Sequence, residues 1–147
     1  ILIGTIISKK CAGCVETCRS VFNQQRIEIM KTRLHDQYMR FRLDQSDVQT
    51  LCDTGSVLQC IGVGSSNLSF EIKLTNEKPS AHFVIQCVEV LLPTAWTAGW
   101  AGNEVVGFDF DVLTDDGDVL RIVVEKDFPC AHTADGRAVY GKPERKN

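Results

Sequence analysis

From Met30 to Asp127, segment after segment alternates apolar and polar residues with a period of two, which confines the chain to a sheet-built fold. Met39, Phe41 and Leu43 share one face of an extended segment, with Arg40 and Arg42 on the other. Residues 68–74 alternate without a fault. Residues 105–113 set Phe108, Phe110 and Val112 against Asp109 and Asp111. Residues 119–125 answer with Leu120, Ile122 and Val124. The turn between these two is Thr114-Asp115-Asp116-Gly117-Asp118, where Asp-Gly supplies positive φ. Further strands are expected over 32–35, turning at Asp36-Gln37, over 57–63, turning at 64–67, and over 83–90 as one continuous strand. Phe70, Ile72, Ile85, Phe108, Phe110, Leu120 and Ile122 form the expected core.

Two short helices interrupt the strands. The first is expected near 46–53, with Ser46 as N-cap, an apolar stripe of Val48, Leu51 and Cys52, and Gly55 in the left-handed position after its end. The second is expected near 93–100, opened by Pro93 and carrying Trp96 and Trp100 four apart on one face. The pattern predicts an α+β, β-dominated fold: a mostly antiparallel sheet of about six strands, as a sandwich or partial barrel, with two short helices covering one side or an open end. A strand–helix–strand succession at 39–63 returns at 83–112 without residue identity.

Residues 1–29 carry no such period, so the folded domain is expected to span 30–132, with 1–29 an extension or sequence upstream of the true start and 133–147 a loose polar tail. Cys11, Cys14 and Cys18 stand in a C-x2-C-x3-C pattern, but no fourth ligand follows nearby and neither usual iron–sulfur spacing is matched. The apolar opening 1–8 is followed by Lys9 and Lys10, the reverse of a secretory signal. Seven cysteines, an odd count, read as reduced thiols and favour a cytoplasmic address.

Charge excludes some partners. Four of the sixteen basic residues (Lys9, Lys10, Arg19, Arg26) precede Met30, against two of the nineteen acidic ones (Glu16, Glu28), so the domain is more acidic than the whole chain. A nucleic-acid binder needs a concentrated basic face, so no nucleic acid is expected. No apolar run approaches the roughly 20 residues of a helical membrane span, so no membrane is expected either.

The segment Glu125-Lys126-Asp127-Phe128-Pro129-Cys130-Ala131-His132 is the candidate site. It leaves a buried strand from a rigid edge and gathers two carboxylates, an amine, a thiol and an imidazole. Cys130 and His132, two apart, would share a side in extended backbone, as part of a zinc site with Asp127 or His35, or as a thiol activated by imidazole. The competing reading is a C-terminal latch, in which Phe128 plugs the core and Lys126 pairs with Glu125 or Asp127. No metal, cofactor or catalytic residue is expected on balance. Arg40 and Arg42 read as decoration of a solvated sheet face, with anion binding the minor alternative.

Three stretches together, Met39-Arg-Phe-Arg-Leu-Asp-Gln-Ser-Asp-Val48, Leu92-Pro-Thr-Ala-Trp96 and Arg121-Ile-Val-Val-Glu-Lys-Asp-Phe-Pro-Cys130, resemble a family of small bacterial proteins of unknown function with a C-terminal Glu-Lys-Asp-Phe-x-Cys signature. The resemblance implies a bacterial, cytoplasmic protein and no nameable activity. The expected function is a small non-enzymatic accessory or binding domain. The alternatives are a metal- or thiol-dependent enzyme using 125–132, and a homodimer joined along an exposed strand edge.

Overall fold

The computed structural model describes residues 30–127 and the backbone of 140–141. It contains β1 (Lys31–His35), β2 (Tyr38–Leu43), α1 (Gln45–Thr54), β3 (Ser56–Val63), β4 (Ser66–Thr75), β5 (Ser80–Val84), β6 (Cys87–Pro93), α2 (Thr94–Thr97), a 3-10 turn (Trp100–Gly102), β7 (Gly107–Leu113), β8 (Val119–Lys126) and β9 (Tyr140–Gly141). The strands form two sheets, in the orders β1-β2-β8-β7-β9 and β3-β4-β6-β5. They do not close into a barrel. The α+β, β-dominated architecture expected from the alternation is what forms.

Each sheet is assembled from two antiparallel hairpins whose second strands pair in parallel at the centre: β2 with β8, and β4 with β6. The chain runs hairpin, helix, hairpin twice over. The first half gives β1–β2 to one sheet and β3–β4 to the other, and the second half gives β5–β6 and β7–β8 in the reverse order. The strand–helix–strand echo is therefore real at the level of topology.

The inner faces meet through the alternating apolar sets. Phe41, Leu43, Ile122, Val124, Phe108 and Phe110 come from one sheet, and Val57, Phe70, Ile72, Val90 and Leu92 from the other. Phe41 and Phe70 touch across the gap with ring centroids 6.2 Å apart. Helix α1 adds Val48 and Leu51. Trp100 is fully buried against Phe108, centroids 4.8 Å apart, while Trp96 stacks on Phe108 at 5.6 Å. Helix α2 is only four residues long and the 3-10 turn carries Trp100, so the expected single helix over 93–100 is two pieces.

Two local expectations are corrected. The N-cap of α1 is Asp44, whose carboxylate accepts from the Asp47 amide at 2.7 Å, and Ser46 lies inside the helix. Both Asp and Ser cap well, and the earlier one wins because Leu43 ends the strand directly before it. Gly55 does end the helix, at φ +88°, with its amide donating to Leu51.

The segment 83–90 is not one strand. It breaks at Ile85-Gln86, both at positive φ, between β5 and β6. Ile85 is consequently an exposed turn residue, 52% accessible, and not core. Leu120 is partly buried at the core's margin, and the other five expected core residues are buried. Beyond position 132, Tyr140–Gly141 pairs with β7 in parallel.

Candidate functional site

Alternation along β8 decides the fate of the candidate segment. Glu125 and Asp127 point to the outer face of the first sheet, and Lys126 points inward between them. Carboxylates and amine therefore cannot converge on one substrate. Cys130 and His132 lie outside the described residues.

On the outer face, the basic period of β2 meets the acidic period of β8. The two strands run parallel with Arg42 opposite Glu125 and Arg40 opposite Val123. Each arginine reaches one step forward. Arg40 grips Glu125 through Nε at 2.8 Å and through Nη2, and Arg42 lies 3.4 Å from Glu125 and 2.7 Å from Asp127. Lys31 of β1 donates to Asp127 at 2.6 Å. That hydrogen bond, with Arg42 and Arg40 adding their charge, holds the Asp127 carboxyl below its usual range despite partial burial. Glu125 is buried at 3% accessibility, which its two arginines make tolerable.

Lys126 sits under the 3-10 turn. Its Nζ donates to the Asn103 carbonyl at 2.6 Å and lies 5.8 Å from the Trp100 ring centroid, and burial pushes the amine's pKa down. The expected surface ion pair of Lys126 with Glu125 or Asp127 is replaced by this inward clamp. The lysine's long stem packs in the core while its head satisfies a loop carbonyl.

Next to the Arg40–Glu125 pair the outer face dips into an open concavity of about 520 Å³ lined by Tyr38, Arg40, Asp109, Arg121 and Val123. Val123 is its buried floor. Arg121 holds Asp109 through Nε at 3.0 Å and through Nη2, and this carboxylate raises the guanidinium's pKa further. Arg33, directly opposite Arg40 across β1–β2, is exposed and has no ion pair among the described residues. The concavity thus joins two carboxylate-paired guanidinium groups, the Asp109 carboxylate and a phenol around an apolar floor.

The family profile matches residues 30–144. The chain belongs to the family of unknown function DUF7009. The match begins where the alternation begins. Neither curated proteins nor solved structures give a match.

Sequence reading had placed Arg40 and Arg42 on this face of the DUF7009 domain. It missed Tyr38, Asp109 and Arg121 as neighbours. A usable signal existed: Arg-x-Arg on one strand and Glu-x-Asp on another are complementary only if the strands lie side by side. Among the described residues no group of three His, Cys, Asp or Glu side chains could hold a metal, and no helix is long and apolar enough to cross a membrane. Cys52 and Cys87 are free.

Proposed function

We propose that this chain is a small non-enzymatic binding domain that takes a carboxylate-bearing small molecule in the concavity of its first sheet. The carrying observation is the lining itself: Arg40, Arg121, Asp109 and Tyr38 around buried Val123, in an open concavity of about 520 Å³. Arg121 has N–H groups beyond the Nε and Nη2 contacts that hold Asp109, these can donate to a ligand carboxylate, and the apolar floor would accept the ligand's carbon skeleton. Asp109 sets a limit, because it repels a second negative charge placed beside Arg121. A non-enzymatic role is supported by the split of Glu125, Lys126 and Asp127 across the sheet.

Titration calorimetry with a panel of mono- and dicarboxylates tests this. Binding in the micromolar to millimolar range is expected, weakening with salt, and Arg121→Ala should reduce it about tenfold, the equivalent of one charged hydrogen bond. No heat from any member, or affinity indifferent to Arg121→Ala, would sink the proposal.

A second reading is favoured by β5. Among the described residues it is an edge of its sheet, and it leads with exposed Phe83 and Val84 into the strained Ile85 turn. An isoleucine at positive φ costs about 1–3 kcal/mol, and this short edge strand carries no lysine or proline to blunt it. We propose a homodimer through paired β5 edges. Light scattering at rising concentration should show the doubled mass, and Phe83→Lys should abolish it; a monomer at millimolar concentration counts against the dimer.

A bacterial, cytoplasmic setting rests on the sequence resemblance.

A further inference from the structure

The outer face of the first sheet leaves two charges over. Arg40 and Arg42 hold Glu125, Arg42 and Lys31 hold Asp127, and Arg121 holds Asp109. Arg33 on β1 and Asp111 on β7 share that face by register, are exposed, and have no ion pair among the described residues. They lie on opposite sides of the concavity. Arg33 stands directly opposite Arg40, and Asp111 directly opposite Arg121, and both of those arginines line it. Like charges directly opposite each other in a sheet repel, so the Arg33–Arg40 pair carries a cost that a bound anion would offset. On the other side, Asp111 finds Arg121 already turned to Asp109 through Nε and Nη2.

Around the concavity, charge therefore runs from positive on β1 and β2 to negative on β7, with Val123 as the apolar floor between. A simple anion satisfies one side and is repelled by Asp109 and Asp111 on the other. A molecule that carries both charges satisfies both sides. Resting on the reading of this concavity as a carboxylate site, we infer that its ligand is a linear zwitterion of the ω-amino acid class. The carboxylate lies over β2, between Arg33, Arg40 and the remaining N–H groups of Arg121, and the ammonium lies over β7 at Asp111. Strand β8 separates β2 from β7, so the two are two strand spacings apart, about 10 Å. An α-amino acid, with both charged groups on one carbon, cannot bridge that gap. A methylene chain can, and it suits the valine floor.

Chemical-shift titrations of the full chain at low salt, with hexanoate, 6-aminohexanoate and hexylamine, test this. 6-Aminohexanoate is expected to bind about threefold tighter than hexanoate, the worth of one exposed ion pair, with hexylamine the weakest. Glycine should gain nothing over acetate. Asp111→Asn should bring 6-aminohexanoate and hexanoate to equal affinity, and Arg33→Gln should weaken both about threefold. Both side chains are exposed, so the fold tolerates the changes. Hexanoate binding as tightly as 6-aminohexanoate, or an advantage that survives Asp111→Asn, would overturn this inference and leave the carboxylate reading standing. So would a glycine advantage equal to that of 6-aminohexanoate. If neither hexanoate nor 6-aminohexanoate binds, both readings fail.

Discussion

Gly107→Ala is expected to cost about 3 kcal/mol, near the top of the overpacking range. A methyl group on Gly107 would stand 2.2 Å from the Val124 carbonyl oxygen and 2.6 Å from the Glu125 Cα. Those are backbone atoms of the strand paired with β7, so no rotamer change relieves the clash. The strands must part at the Gly107–Glu125 pair. Two things go with that parting. The Lys126 amide loses its bond to the Val106 carbonyl at 2.7 Å, and Phe108 is drawn away from Trp100. Gly102→Ala is the control, because a methyl group there meets nothing within 4 Å at an ordinary φ. It should change stability by less than about 0.5 kcal/mol. Urea unfolding of the two variants checks the pair. Equal costs would mean that β7 and β8 are not packed as closely as described.

The legible parts of this fold are those where one local rule suffices. Period-two alternation marks β2, β4, β7 and β8, because in each the apolar residues of one parity face the core. Asp-Gly marked the β7–β8 turn, and Gly55 marked the end of α1. The break at Ile85-Gln86 was illegible for the same reason. A two-residue turn with positive φ at both positions normally announces itself with Asn or Gly. Here isoleucine and glutamine continue the apolar run, and strand pairing on both sides imposes the turn against local preference.

The site divides along the same line. That Glu125 and Asp127 would face one way, with Lys126 between them facing the other, follows from alternation alone. That they would meet Arg40 and Arg42 does not. The β2–β8 pairing joins residues about eighty positions apart in parallel, and nothing local to either strand selects it. The Tyr38–Arg121 concavity depends on that pairing and on the β7–β8 register together, so it appears only with the tertiary structure. The clamp of Lys126 on Asn103 is hidden in another way. A lysine in an otherwise acidic exit segment reads as surface, and only the loop that follows the 3-10 turn gives it a carbonyl acceptor.

Trp100→Ala should remove about 3–5 kcal/mol, the cost of emptying a fully buried aromatic site. For a domain near 100 residues that lowers the thermal midpoint by roughly 12 °C or more. Three contacts depend on this side chain. Its ring packs on Phe108, its indole N–H donates to the Val105 carbonyl at 2.8 Å, and its face lies near the Lys126 ammonium. The substitution would also leave that ammonium beside an empty volume. Trp100→Phe separates the terms. It keeps most of the volume but not the donor, and should cost about 1–2 kcal/mol, a lost hydrogen bond to a partly buried carbonyl plus a small void. Guanidinium unfolding, with the slope compared as well as the midpoint, measures both. Should Trp100→Ala cost under about 1 kcal/mol, the 3-10 turn would be an appendage, and the link from Lys126 through Trp100 to Phe108 would not pin that turn to the first sheet.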